Sequence, residues 1–302
     1  MNNIYSIIDV GTNKISLLTA EAGKDAQIFQ HISKVSALGK DMENGLLQNK
    51  MIERTIRILE KFIQKAKVHS DDIIVIGTSS SRDAKNISLL SSWLNNKYQI
   101  KYNILSGESE VKFIAAANVE EFKEFSNLLM FDIGGGSTEF VWIIDHKITH
   151  TQSIDLGIRR LQNKFQYNSV KKRELIRHLL TFLPLKLIEA PTVVGIGGVA
   201  VSLSLLKSQF EKSSSSKIHK AEISTKTLLA IHKEISTGNE KMLTSIMPFE
   251  ADRSELIETG MMIVLEILDY FRGKSFFVSE RGIEFGILAQ TQSELKKMLI
   301  QG

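Results

Sequence analysis

Leu129-Met130-Phe131-Asp132-Ile133-Gly134-Gly135-Gly136-Ser137-Thr138-Glu139-Phe140-Val141 is the stretch on which the reading of this chain turns. An apolar run ends on an aspartate, passes through three glycines and resumes as an apolar strand. That pattern is a β-hairpin, because adjacent glycines enter the φ > 0 conformations of a tight turn without a Cβ penalty. The same glycines bare backbone N–H groups, which can close around phosphate oxygens as an anion nest. Asp132 and Glu139 flank the nest, where carboxylates would share a hard cation such as Mg²⁺ with a phosphate. The plain alternative is a glycine turn between ordinary surface acids. The flanking acids and a second copy of the signature weigh against it.

That copy is Asp9-Val10-Gly11-Thr12-Asn13, closing an apolar strand over Ile4–Asp9. Strands follow at Lys14–Ala20 and Gln27–Leu38, and helical spacing from Met51 to Ala66 predicts a helix over Asn49–Lys67. Strand Asp72–Gly77, a helix through Leu89 and Trp93, strand Ile100–Leu105 and a helix opening at Ser106 complete the first half. From Asn127 the order restarts with strands Leu128–Asp132, Glu139–Asp145 and Lys147–Ile154. Helices at Gly157–Phe165 and Val170–Ile188, strand Thr192–Ile196 and a helix begun by Gly197-Gly198 come next. The serine run within Ser208–His219 reads as a surface loop. Helices at Ser224–Thr237 and Arg253–Phe271, strand Ser275–Val278 and a helix over Gly282–Ile300 close the chain.

Each half runs three strands, helix, strand, helix, strand, helix, with extra helices in the second. The repeat implies internal duplication: two α/β domains, at 1–124 and 125–302, facing each other across a cleft. The last helix is free to pack back on the first domain. Each hairpin would offer its backbone to one polyphosphate, since ligand sites concentrate at domain interfaces.

At 302 residues the chain is comfortable for two domains, and 43% hydrophobic with 24% charged residues is ordinary globular composition. With no cysteine there is neither disulfide nor thiolate metal site, which suits a cytoplasmic protein. No signal peptide is evident at Met1-Asn2-Asn3-Ile4, and no apolar run reaches the roughly 20 residues that span a bilayer. The net charge of +4 mildly favours an anionic ligand. Neither a nucleic acid nor a membrane is expected as a partner, and a homodimer is admitted.

Paired Asp-Gly hairpins in duplicated ribonuclease-H-like halves resemble the actin, sugar kinase and Hsp70 superfamily. Four stretches narrow the resemblance: Thr78-Ser-Ser-Ser-Arg82-Asp83, Ile104-Leu-Ser-Gly107-Glu-Ser-Glu110, Asp132 to Glu139, and Asp155-Leu-Gly157-Ile-Arg159-Arg160. In this order they are similar to the exopolyphosphatase/guanosine pentaphosphate phosphatase (Ppx/GppA) family. Pro248-Phe-Glu-Ala-Asp252-Arg253 and Val278-Ser-Glu-Arg-Gly282 resemble that family's C-terminal core. The resemblance implies Mg²⁺-dependent release of a terminal phosphate from polyphosphate or from guanosine pentaphosphate, with the tetraphosphate as a further partner. It makes Glu110 the base that activates water and Arg82 an arginine reaching the substrate. Asp132 and Glu139 become the acidic pair that holds metal or positions the nucleophile, and Gly11-Thr12-Asn13 and Gly134-Gly135-Gly136-Ser137-Thr138 become phosphate loops; beside them, Asp9 is read as a metal contact through water or as the residue that fixes its hairpin. Such a division of labour suits phosphoryl transfer, which needs charge neutralisation and an oriented nucleophile.

The chain departs from the family pattern at Ser109, Lys14 and Glu284, and it stops where longer members continue. These departures motivate an alternative, a regulator that binds guanosine tetraphosphate or polyphosphate without turnover. A further alternative is an ATP-dependent small-molecule kinase of the superfamily, although no Walker lysine motif is present.

Overall fold

Ile7 and Ile8 point to opposite faces of the first strand and both are fully buried, so that strand must be covered on both sides. In the computed structural model, which describes residues 3–23, 26–185, 191–211, 217–237 and 251–299, it is the central strand of a sheet. β1 (Ile4–Val10) pairs antiparallel with β2 (Lys14–Glu21), and β2 with β3 (Ile28–Val35). On its other side β1 pairs parallel with β4 (Ile73–Gly77), and β4 with β5 (Tyr102–Ile104), giving the order β3-β2-β1-β4-β5. α1 (Asn49–Ala66) sets Ile52, Leu59, Phe62 and Ile63 against Ile8, Val10, Leu17 and Val75 on one face. α2 (Ser79–Asp83) and α3 (Ser88–Tyr98) follow β4, and α4 (Gly107–Asn118) follows β5.

The second sheet repeats this plan. β6 (Leu128–Ile133), β7 (Thr138–Ile144) and β8 (Lys147–Ile154) form the meander, followed by α5 (Ile158–Phe165) and α6 (Ser169–Leu180). β9 (Thr192–Ile196), α7 (Gly197–Phe210), β10 (Glu222–Ser224), α8 (Thr225–Thr237), α9 (Ala251–Tyr270) and β11 (Ser275–Ser279) complete it. The order β10-β11-β9-β6-β7-β8 contains β8-β7-β6-β9-β11, the counterpart of the first sheet, with β10 added at the edge. From Leu256 onward α9 is buried almost all round, through Ile257, Met261, Ile263 and Leu268, as a helix central to a core must be.

The fold is thus α/β with two mixed sheets and a duplicated core order. The three-residue β10, folded within the expected Ser224–Thr237 helix and its approach, is too short to show a period of two. α6 stops at Leu180, before Pro184, whose ring disfavours helix at the preceding residue. Residues 186–188 of the expected Val170–Ile188 helix, 212–216 of the serine loop, 248–250 of the Pro248 stretch and Ile300 lie outside the described residues.

The expected closing helix is two: α10 (Ile283–Leu288) and α11 (Gln292–Leu299). The break is a capping box. Glu294 accepts from the Thr291 backbone N–H at 2.9 Å and from its hydroxyl at 2.7 Å, while Thr291 Oγ1 accepts from the Glu294 N–H at 3.3 Å. Ile283, Ile287, Leu288 and Leu295 cover Tyr5, Ile7, Leu18, Ile74 and Ile76, the second face of the first sheet. Each such side chain buried is worth roughly 1.5–3 kcal/mol, which explains why the chain's end returns there. Gly286 makes the approach close, since a Cβ there would sit 1.8 Å from the Phe113 carbonyl oxygen of α4. The contacts divide the chain into Met1–Glu120 with Ile283–Gly302, and Glu121–Gly282. Among the described residues no helix is long and apolar enough to cross a membrane.

Candidate phosphate loops and their acidic residues

Register brings the acids of the second unit together. Asp132 on β6 stands directly opposite Glu139 on β7, and Glu139 opposite Ser153 on β8, so all three side chains share one face. Glu139 is 3% exposed, and its Oε1 accepts from the Ser153 hydroxyl at 2.8 Å. Opposite strand ends then meet in the turn, closed by the Gly134 N–H donating to the Ser137 carbonyl at 2.9 Å.

The φ > 0 backbone expected of the three glycines is not the one observed. None of Gly134, Gly135 and Gly136 has a positive φ; among the described residues the positive-φ glycines are Gly23, Gly45 and Gly197. Glycine is demanded instead at 157, where the Asp155–Arg160 segment crosses close behind the turn. A Cβ on Gly157 would lie 2.4 Å from the backbone carbon and nitrogen of Gly136. Across this contact the N–H of Ile158 donates to the Gly134 carbonyl at 3.1 Å, and those of Arg159 and Arg160 to the Gly135 carbonyl at 2.8 and 3.0 Å. Arg160 Nε donates to the Gly136 carbonyl at 2.7 Å. The Thr138 hydroxyl donates to the Leu156 carbonyl, tying the crossing segment to β7. Every carbonyl of the glycine run is therefore held from one side. Among the described residues the N–H groups of Gly135, Gly136 and Ser137 have no protein acceptor.

The first unit is built alike. Gly11 N–H donates to the Lys14 carbonyl at 3.0 Å, and Asp9, Ser16 and Ser33 occupy the row that Asp132, Glu139 and Ser153 occupy in the second. Ser16 is buried, and its hydroxyl has no partner among the described residues. The Thr12 carbonyl accepts from Gly39, and the Asn13 carbonyl from Ser36 and Ala37. A Cβ on Gly39 would meet Thr12 Cγ2 at 2.4 Å. Leu38-Gly39 thus does behind the first turn what Leu156-Gly157 does behind the second, a pairing the sequence reading missed. Its signal was the repeated Leu-Gly after the third strand of each meander. Thr12 is engaged inside the unit, its hydroxyl accepting from the Ser80 N–H of α2 at 3.2 Å.

Gly197, also outside the expected site, faces Asp132. It opens α7 with φ +75°, and a Cβ there would sit 2.6 Å from Asp132 Oδ1. The first helix turn after β9 therefore runs against that carboxylate.

Ser106 caps α4, accepting from the Ser109 N–H at 3.2 Å, which puts Glu110 in the first helical turn. Glu110 is 5% exposed, and its carboxylate pairs with Arg82. Arg82 also donates to the Leu105 carbonyl at 2.7 Å. Within this unit the arginine thus orients the carboxylate. Glu108 is exposed.

Two departures from the family pattern are coupled. Glu284 is buried, and its Oε1 lies 3.0 Å from His31 Nε2. Burial pushes its carboxyl up, but the His31 hydrogen bond and the Lys14 charge outweigh that and hold it below the usual range. A depressed carboxyl adds stability above its unfolded value, near pH 4.3, and loses it as pH falls through the folded value. Urea unfolding of the whole chain between about pH 5 and 2 is expected to show this acid limb, flattened in Glu284→Gln. An unchanged limb would remove the coupling.

Two α/β units of one topology, each with an Asp-Gly turn at the end of its first strand, define the two-domain actin-like class. The chain belongs to the Ppx/GppA phosphatase family, whose pattern it matches over residues 19–295. It is similar to a bifunctional 3-dehydroquinate synthase/phosphatase of Fusobacterium nucleatum, with 30% identity over 92% of this chain and 45% of that protein. A guanosine-5'-triphosphate,3'-diphosphate pyrophosphatase of Pseudoalteromonas atlantica is 27% identical over 51% of this chain and 31% of its own length. The chain thus spans less than half the length of these curated relatives. An exopolyphosphatase structure from Cytophaga hutchinsonii shares the fold, with a TM-score of 0.85, 22% identity and coverage of 97% of this chain and 98% of that one.

Proposed function

We propose that this chain hydrolyses a terminal phosphoanhydride, releasing phosphate from polyphosphate or guanosine pentaphosphate in a Mg²⁺-dependent reaction. The observation that carries this reading is the glycine turn, its carbonyls held from behind and three N–H groups left without a protein acceptor, beside the Asp132–Glu139 row. Family membership supports phosphatase chemistry.

The donor set suits a hard cation, since Mg²⁺ takes one or two carboxylates and leaves its other positions to water and phosphate. Among the described residues no cluster of three or more metal-binding side chains occurs, so a site made only of protein ligands is not part of the proposal. Asp132 and Glu139 would hold the ion, which when bound neutralises charge on the phosphate oxygens. The Gly135, Gly136 and Ser137 amides bind and orient the terminal phosphate. Glu110 accepts the proton of the attacking water, and Arg82 keeps its carboxylate aimed.

The test is phosphate release from tripolyphosphate, guanosine pentaphosphate and ATP in parallel, with Mg²⁺ varied. Asp132→Asn and Glu139→Gln are expected to lose activity and shift the Mg²⁺ midpoint together while circular dichroism stays unchanged. Midpoints that stay put in both variants would remove the metal role.

A second reading, a binder without turnover, draws on the Arg82–Glu110 pair, because a guanidinium weakens its partner as a base. Saturable tripolyphosphate binding with no phosphate release at any Mg²⁺ concentration would favour it.

A further inference from the structure

The two turns are held from behind by different chemistry. Counting from the Leu-Gly pairs, Met42 in the first unit stands where Arg160 stands in the second. In the first unit the Thr12 carbonyl accepts from the Gly39 amide and the Asn13 carbonyl from the Ser36 and Ala37 amides. In the second, three amides at the start of α5 take the Gly134 and Gly135 carbonyls, and the Arg160 guanidinium takes that of Gly136.

A trans peptide points its C=O and N–H in opposite directions. The peptide whose oxygen is Gly136 O carries the Ser137 N–H on its other side. A cation on that oxygen fixes the plane of the peptide and draws electron density toward it, making the Ser137 N–H a stronger donor, as hydrogen bonds in a chain polarise one another. Arg160 reaches the oxygen through Nε at 2.7 Å. Its contact to Asp155 is 3.5 Å long and made to a carboxylate 80% exposed, where water screens the pair.

We propose that Arg160 is a positioning residue, acting through the Gly136 carbonyl to orient and polarise the Ser137 amide toward the terminal phosphate of a phosphoanhydride substrate. This rests on the reading of the glycine turn as the phosphate loop. It assigns a charge-assisted grip on phosphate to the second unit's turn, because a guanidinium sits behind that turn. A lysine at this position keeps the charge and one donor but not the fixed fork, so it replaces the arginine only in part.

The test uses Arg160→Met and Arg160→Lys in the whole chain. In ¹H–¹⁵N spectra without ligand, Arg160→Met is expected to move the Ser137 amide proton upfield, with Arg160→Lys between it and wild type. With tripolyphosphate, Arg160→Met is expected to raise KM about tenfold while kcat changes less than about threefold, the pattern of lost uniform binding. Arg160→Lys should recover most of the KM. A wild-type Ser137 shift and a wild-type KM in Arg160→Met would overturn the proposal. So would kcat and KM failing together with a lower unfolding midpoint and no recovery by lysine, which is what a purely structural residue does. If wild type releases no phosphate, the proposed reaction fails. Tripolyphosphate affinity by calorimetry and the Ser137 shift then judge Arg160 alone, and no difference between wild type and Arg160→Met in both would sink it.

Discussion

Glu110→Gln is expected to lower phosphate release by about 10²–10⁴-fold and to leave tripolyphosphate affinity in place, the loss typical of removing a general base. The amide matches the carboxylate in shape but cannot take the proton of the attacking water. Affinity should survive because the proposal gives the phosphate contacts to the glycine turn and the Asp132–Glu139 row. Burial and the Arg82 pair make the site sensitive to substitution for structural reasons as well. Leaving a buried group without its partner costs about 1–3 kcal/mol, so the variant's unfolding midpoint must be measured beside its kinetics. Glu108→Gln is the control, since Glu108 lies exposed on the same helix turn and should keep near wild-type turnover. Near wild-type turnover in Glu110→Gln with loss in Glu108→Gln would shift the assignment by two residues. Full activity in both, in a protein that hydrolyses its substrate, would mean the base lies elsewhere.

Gly157→Ala is expected to abolish tight phosphate binding and to destabilise the chain. The new methyl would start 2.4 Å from the Gly136 backbone and 2.5 Å from that of Gly135, and no rotamer change relieves a clash with main chain. Either the crossing segment retreats, breaking its bonds to the Gly134 and Gly135 carbonyls, or the turn moves forward and scrambles its N–H groups. Overpacking of this kind costs about 1–3 kcal/mol, occasionally more. Gly39→Ala in the first unit should cost less, because its one close clash is with the Thr12 methyl, a side-chain atom, and the Thr12 carbonyl lies at an ordinary 3.6 Å. Urea unfolding and tripolyphosphate calorimetry on both variants check the order. Wild-type affinity and stability in Gly157→Ala would show that the close crossing does not shape the turn.

The sequence alone determined the α/β class, the duplicated strand and helix order and the two Asp-Gly turns. Those signals are local: a period of two or of 3.6 marks a strand or helix by itself, and Asp132 and Glu139 meet because a hairpin fixes register over a few residues. Tertiary structure decided what crosses those turns. Glycine at 134–136 was read locally as φ > 0, which the turn does not adopt, and the demand for glycine at 157, some twenty residues on, comes from a crossing that only packing creates. For the same reason Gly197 at Asp132 and Arg82 on Glu110 were not legible, since side chains far apart in the chain share no period. Return of residues 283–299 to the first sheet was open in the sequence as well. An apolar helix face states that it will be buried but not against what, and the uncovered face of β1, β2 and β4 supplies the answer.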